Sequence, residues 1–164
     1  MIARAIPKTG PRRCRLLYVE ESAANVVRLE ELLAGRKDLL LLHAADVNLG
    51  IKLARSKRPE LILINIDLPG FDAERGAFDL MKLLRADPAM EAAPILALSA
   101  NTAPAAIVEG LEAGFFHYLT QPLQAGPLME ALDYALEFAA LERTEQAGAP
   151  SRASPQRSKE RARS

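Results

Sequence analysis

Leu61-Ile62-Leu63-Ile64-Asn65-Ile66-Asp67-Leu68-Pro69-Gly70 decides the fold. Four apolar residues without a polar interruption are too few for a helix and read as a strand covered on both faces, the signature of a parallel sheet with helices on either side. Asn65 and Asp67 follow the run, two residues apart and therefore on one face if the strand geometry continues.

Four similar runs flank this one: Leu16-Leu17-Tyr18-Val19, Leu39-Leu40-Leu41-Leu42, Ile95-Leu96-Ala97-Leu98 and Phe115 to Leu119. Amphipathic stretches separate them. Val26, Leu29, Leu32 and Leu33 share a helical face, and Gly35 is placed to be the residue after its end. Asp46 suits the N-cap of a helix carrying Leu49 and Leu53, which must stop before Pro59. Ala77, Leu80, Met81 and Leu84 form a third stripe, closed by Asp87-Pro88. Thr102 and Pro104 suit the start of a fourth helix and Gly114 its end. Pro127 opens a fifth, with Leu128, Leu132, Ala135 and Ala139 facing inward. Five βα units in series predict an α/β fold with a doubly wound parallel sheet, because parallel strands need right-handed crossovers.

With 164 residues, 49% of them hydrophobic, the chain has the length and composition of one globular domain. No apolar run approaches the roughly 20 residues of a bilayer span, and Met1 to Pro7 has no secretory signal pattern. Cys14 is the only cysteine, which excludes an internal disulfide and fits a reducing, cytoplasmic setting. It reads as a small packing residue. Net charge is zero, yet Arg4, Lys8, Arg12, Arg13 and Arg15 crowd the start while Arg152, Arg157, Lys159, Arg161 and Arg163 crowd the end. The expected organisation is a basic N-terminal extension over 1–14, a folded domain over 15–143, and a disordered basic tail over 144–164. Without interleaved aromatics, the basic ends read as solvated termini rather than a nucleic-acid surface.

Ligands of open parallel sheets bind at the carboxyl ends of the strands. Glu20 and Glu21 follow the first strand, Asn65 and Asp67 the third, Ser99 ends the fourth, and the fifth leads into Thr120-Gln121-Pro122. The second ends in His43-Ala44-Ala45 and offers little. His43 and His117 have no ligand-spaced company and read as structural or solvent-facing.

In this arrangement the chain resembles the receiver domain of bacterial two-component response regulators, especially receivers attached to hybrid histidine kinases. The likeness runs from about Arg15 to Leu136 and rests on Tyr18-Val19-Glu20-Glu21, Leu61 through Gly70, Ala97 through Asn101, Ala113-Gly114 and Tyr118 through Pro122. It implies a flavodoxin-like (βα)5 fold with strand order 2-1-3-4-5. In that family an aspartate ending strand three attacks a phosphohistidine. Two acids after strand one help hold Mg²⁺, a Ser or Thr after strand four binds phosphoryl oxygens, and a Lys before Pro pairs with them.

Carried over position by position, Glu20 and Glu21 are the acidic pair, Ser99 the hydroxyl, Tyr118 the aromatic switch and Gln121-Pro122 the cis peptide. The nucleophile position holds Asn65 and the lysine position Gln121. An amide has nearly the shape of a carboxylate but no anionic oxygen to attack phosphorus, and glutamine carries no charge to pair with phosphate. Losing one acid and one base together leaves the formal pocket charge at about −2, as before. The resemblance therefore implies a pseudo-receiver: not an enzyme, with no cofactor beyond weak Mg²⁺ held by Glu21, the Asn65 amide oxygen and water.

The stretch Phe71 to Gly76 is about four residues longer than the family's usual loop, a length that surface loops tolerate. Phe116 and Tyr118 are candidates for an outward-facing partner surface, since the family docks partners and second copies on its fourth helix, fifth strand and fifth helix. The expected function is a phosphorelay signalling module that binds a histidine kinase, another response regulator or an output protein, with the output in the partner. Two rivals stand beside it: a phosphorylatable receiver using Asp67, and a flavodoxin-like cofactor binder, against which the lack of a phosphate loop counts.

Overall fold

A computed structural model describes residues 12–68, 76–91 and 93–148. Most of the basic extension, of the loop insertion and of the basic tail lies outside the described residues. Five parallel strands are present: β1 (Cys14–Val19), β2 (Leu39–Ala44), β3 (Leu61–Asn65), β4 (Ile95–Ser99) and β5 (His117–Thr120). They pair in the order β2-β1-β3-β4-β5, the flavodoxin-like arrangement. The helices are α1 (Ala23–Leu33), α2 (Val47–Lys57), α3 (Gly76–Arg85), the four-residue α4 (Pro88–Glu91), α5 (Pro104–Ala113) and α6 (Ala125–Gly148).

The apolar runs are continuous, but their burial alternates in destination. Leu17, Val19, Ile62, Ile64, Ile95 and Ala97 face Val47 and Ala54 of α2 and Leu80, Met81 and Leu84 of α3. Leu16, Tyr18, Leu61, Leu63, Leu96 and Leu98 face Val26 and Leu29 of α1 and Leu128, Leu132 and Ala135 of α6. The sheet is thus covered on both sides, which is why its central strands needed no polar face. β2 departs from this expectation. It is an edge strand, and Leu40 is 39% exposed.

Local signals explain most element boundaries. Asp46 caps α2 by accepting from the Leu49 amide at 2.8 Å. The buried face of that helix is Val47, Gly50 and Ala54, whereas Leu49 is exposed. Gly50 marks a close approach: a Cβ there would meet the Val19 Cγ2 methyl at 3.0 Å, so α2 packs tightly on β1. Pro104 opens α5, and Gly114 closes it at φ 110°, a left-handed conformation that glycine adopts without steric cost.

Gly35 directly follows the Ala34 cap of α1, as expected, but without a left-handed backbone conformation. Three expectations need correction. Pro88 does not only stop α3. It begins α4, whose Ala89 amide donates to Asp87 Oδ1 at 2.9 Å. The fifth strand begins at His117, after the two phenylalanines. Finally, α6 runs through Gly148, so the stretch from Thr144 opens as helix, with Thr144 Oγ1 donating back to the Ala140 carbonyl at 2.9 Å. At the other end, β1 takes in Cys14, which pairs with Leu39. Glu60 ties the basic flanks to the domain: it accepts from Arg12 at 3.1 Å and from the Arg15 amide at 2.6 Å.

Candidate functional site at the carboxyl edge of the sheet

Strand register brings the polar residues together. Val19 pairs with Ile64, so Glu20 emerges beside Asn65. Asn65 pairs with Leu98, which sets Ser99 next to the chain leaving β3. Ser99 pairs with Thr120, which places Gln121 at the same edge.

Glu20 is buried, only 2% exposed, and its carboxylate accepts three hydrogen bonds. Oε1 accepts from the Ser22 amide at 3.0 Å, and Oε2 accepts from Tyr18 Oη at 3.1 Å and from Asn65 Nδ2 at 2.8 Å. Burial pushes the Tyr18 phenol far above its ordinary range, and the adjacent Glu20 charge and their hydrogen bond push the same way. Tyr18 is therefore a fixed donor. The Asn65 orientation is set by its other partner: the Asp67 amide can only donate, and it does so to Asn65 Oδ1 at 2.9 Å, leaving Nδ2 for Glu20.

Asp67 turns toward β4. Ser99 Oγ donates to its Oδ1 at 2.8 Å, and the Ala100 amide donates to its Oδ2 at 2.6 Å. Ser99 Oγ also accepts from the Asn101 amide at 3.0 Å. Tyr118 Oη donates to the Asn101 carbonyl at 2.8 Å. An unbroken chain of hydrogen bonds thus runs from Tyr18 through Glu20, Asn65, Asp67 and Ser99 to Asn101 and Tyr118.

Glu21, in contrast, is exposed. The Gln121–Pro122 peptide is cis. Beside it a cavity of about 290 Å³ opens, lined by Tyr18, Asn25, Arg28, Gln121, Pro122 and Leu123. Arg28 reaches across it to the Leu123 carbonyl at 3.4 Å. His43, an exposed residue, is anchored through Nε2 to the Glu20 carbonyl at 2.7 Å.

Glu20 and Asn65 are not arranged as ligands of a divalent cation. Hard cations need several free anionic oxygens, yet both Glu20 oxygens already accept hydrogen bonds and Asn65 directs an amide nitrogen at one of them. Among the described residues, no three His, Cys, Asp or Glu side chains group as metal ligands. The weak Mg²⁺ site expected at Glu21 with the Asn65 oxygen has no support in this geometry, because that oxygen faces the Asp67 amide.

The outward placement of Tyr118 is also corrected. Its ring is 8% exposed and lies under α5, where a Cβ on Gly110 would stand 2.8 Å from Cδ2. Phe116 is half-buried and packs on Phe138 of α6 at a centroid distance of 5.2 Å. The glycine at 110 was the sequence signal for this close approach, and it was missed.

The profile of the response regulator receiver domain matches residues 16–133. The chain belongs to the response regulator receiver family. It is 33% identical over 116 residues to the transcriptional regulatory protein AfsQ1 of Streptomyces coelicolor, an alignment covering 71% of this chain and 48% of AfsQ1. The chain therefore spans about half the length of such curated relatives. Among solved structures, the receiver domain of the sensor histidine kinase PA1611 from Pseudomonas aeruginosa is 25% identical, with a TM-score of 0.63 over 76% of this chain and 98% of that one. That structure holds a magnesium ion in its active-site cleft. The chemotaxis protein CheY4 of Vibrio cholerae shares the fold, with a TM-score of 0.64 at 22% identity, covering 76% of this receiver and 99% of CheY4. Receiver domains of this family act in two-component signalling, and this receiver has their five-stranded parallel sheet in the order β2-β1-β3-β4-β5.

Proposed function

We propose that this receiver signals without an aspartyl phosphate, as a cytoplasmic module whose working unit is residues 15–143 and which docks a histidine kinase, another response regulator or an output protein. One observation carries the reading: at the end of β3 stands a neutral amide, Asn65, already hydrogen-bonded at both of its polar atoms. Phosphoryl transfer to a protein side chain needs an anionic or activated nucleophile and a cation for the developing charge. Gln121 supplies no cation. Among the described contacts, no Lys or Arg side chain pairs with Glu20, Asn65, Asp67 or Ser99.

The rival acceptor, Asp67, spends both oxygens on Ser99 and Ala100. Those are the donors an incoming phosphoryl group would require, so the contact supports the unphosphorylated reading over Asp67 chemistry. Partner docking is assigned to the face formed by α5, β5 and α6. Val108 and Leu111 are exposed there on α5, and Tyr134, Phe138 and Leu141 on α6. Among the described residues no helix is long and apolar enough to cross a membrane.

The test is an amide NMR spectrum of the full chain with Mg²⁺ and beryllofluoride, which mimics a phosphoryl group on aspartate. The expected result is an unchanged spectrum between Ser99 and Tyr118. A saturable, Mg²⁺-dependent shift of those resonances overturns the reading.

A further inference from the structure

We infer that Asp67 is a built-in ligand: its carboxylate fills the oxyanion-holding donors at the end of β4 and keeps that corner of the site permanently in its occupied arrangement. The inference rests on the reading that this pocket takes no phosphoryl group, and it says what sits there instead.

The geometry is that of a bidentate anion. One carboxylate oxygen takes the Ser99 hydroxyl and the other takes the Ala100 amide, at 2.8 and 2.6 Å. Charge-assisted hydrogen bonds of this kind are shorter and stronger than neutral ones. The carboxylate is also held from behind, because the Asp67 amide donates to Asn65 Oδ1 and Asn65 in turn is fixed on buried Glu20. An aspartate at position 65 would have no N–H to give Glu20. The asparagine is therefore part of the device that aims Asp67.

The contact also has somewhere to lead. Ser99 Oγ, while donating to Asp67, accepts from the Asn101 amide, and the Asn101 carbonyl receives Tyr118 Oη. The position of the Tyr118 ring under α5 is thus tied to the Asp67 contact rather than to an added group. A receiver with this arrangement presents one state of its α5–β5 face whatever the supply of phosphodonor, so control passes to the amount of protein and to its partner.

Amide hydrogen exchange and NMR on the full chain test this, comparing wild type with Asp67→Ala and Asp67→Asn and using inorganic phosphate as the probe anion. In Asp67→Ala the Ala100 amide is expected to exchange about tenfold faster, the loss expected for one charge-assisted bond. Added phosphate should slow it again, while wild type shows no response to phosphate. Asp67→Asn, which keeps an acceptor oxygen but no charge, should fall between them and serves if the alanine variant does not fold. Unchanged exchange in both variants, or an equal response to phosphate in wild type and variant, overturns the inference. The reading of an unphosphorylated receiver fails separately, on a phosphodonor adduct or a Mg²⁺-dependent beryllofluoride complex in wild type.

Discussion

Asn65→Asp is expected to destabilise the fold by about 1–3 kcal/mol at neutral pH, although it restores the family's ordinary residue. Asn65 is 7% exposed and its Nδ2 lies 2.8 Å from Glu20 Oε2, so the substitution sets two carboxylates in buried contact. Uptake of a proton caps the cost: a carboxyl forced to stay neutral at pH 7 loses at most about 4 kcal/mol, and side-chain rotation reduces that further. The sign follows from linkage. Repulsion and burial raise the folded-state pKa of the new pair, so the folded variant binds a proton more tightly than the unfolded chain does. The penalty is therefore absent near pH 4 and grows as the pH rises toward the raised value. Urea denaturation at the two pH values measures it. Mg²⁺ should recover stability in the variant, where two carboxylates face each other, and not in wild type. Equal stability of the two proteins at neutral pH without metal contradicts this account of the pocket.

Glu20→Ala is expected to cost about 2–4 kcal/mol, because it strands three donors at once: Tyr18 Oη, the Ser22 amide and Asn65 Nδ2. Water entering the space left behind keeps the total below the sum of three isolated losses. The neighbouring Glu21→Ala, at an exposed side chain, should change stability by no more than about 0.5 kcal/mol. The contrast matters because acids kept only to bind a metal repel one another, and removing one of them tends to leave a protein as stable or more so. A neutral or stabilising Glu20→Ala would mean that Glu20 is held in reserve for a cation rather than built into the scaffold.

Most of the fold was legible because four of the five strands contain a run of four apolar residues. Leu61 to Ile64 gave both the strand and, through its lack of a polar face, the parallel sheet. What failed were details settled by distance across the sheet. Leu39 to Leu42 reads like Leu61 to Ile64, yet it forms an edge strand, since a run of leucines carries no mark of how many neighbours it will have. Thr144 to Gly148 stays helical because the chain continues a helix already nucleated and packed, and adding a residue to such a helix costs little. Phe116 and Tyr118, two residues apart, were expected outward together, but β5 starts only at His117, and Gly110 opens a slot for the Tyr118 ring.

The site was legible residue by residue and not as a network. Glu20, Asn65, Asp67, Ser99 and Gln121 were all picked out as strand-end positions, and the register brings them to one edge. That Glu20 faces inward while Glu21 faces solvent depends on the turn leaving β1, where Ser22 both donates its amide to Glu20 and caps α1. That Asp67 reaches Ser99 and Ala100 depends on the Asn65 amide oxygen capturing the Asp67 N–H. Both are side-chain-to-backbone contacts within two residues in sequence, with the Glu20 and Asn65 side chains accepting from the amides of Ser22 and Asp67, and asparagine is among the residues that favour such local bonds.

Intact-mass spectrometry of the full chain after incubation with a small-molecule phosphodonor and Mg²⁺ tests the central claim most directly. A single unmodified mass is predicted, with a phosphorylatable receiver acquiring the adduct under the same conditions as a control. A phosphoryl adduct on this chain, mapped to Asp67 or to any other strand-end carboxylate, would contradict it.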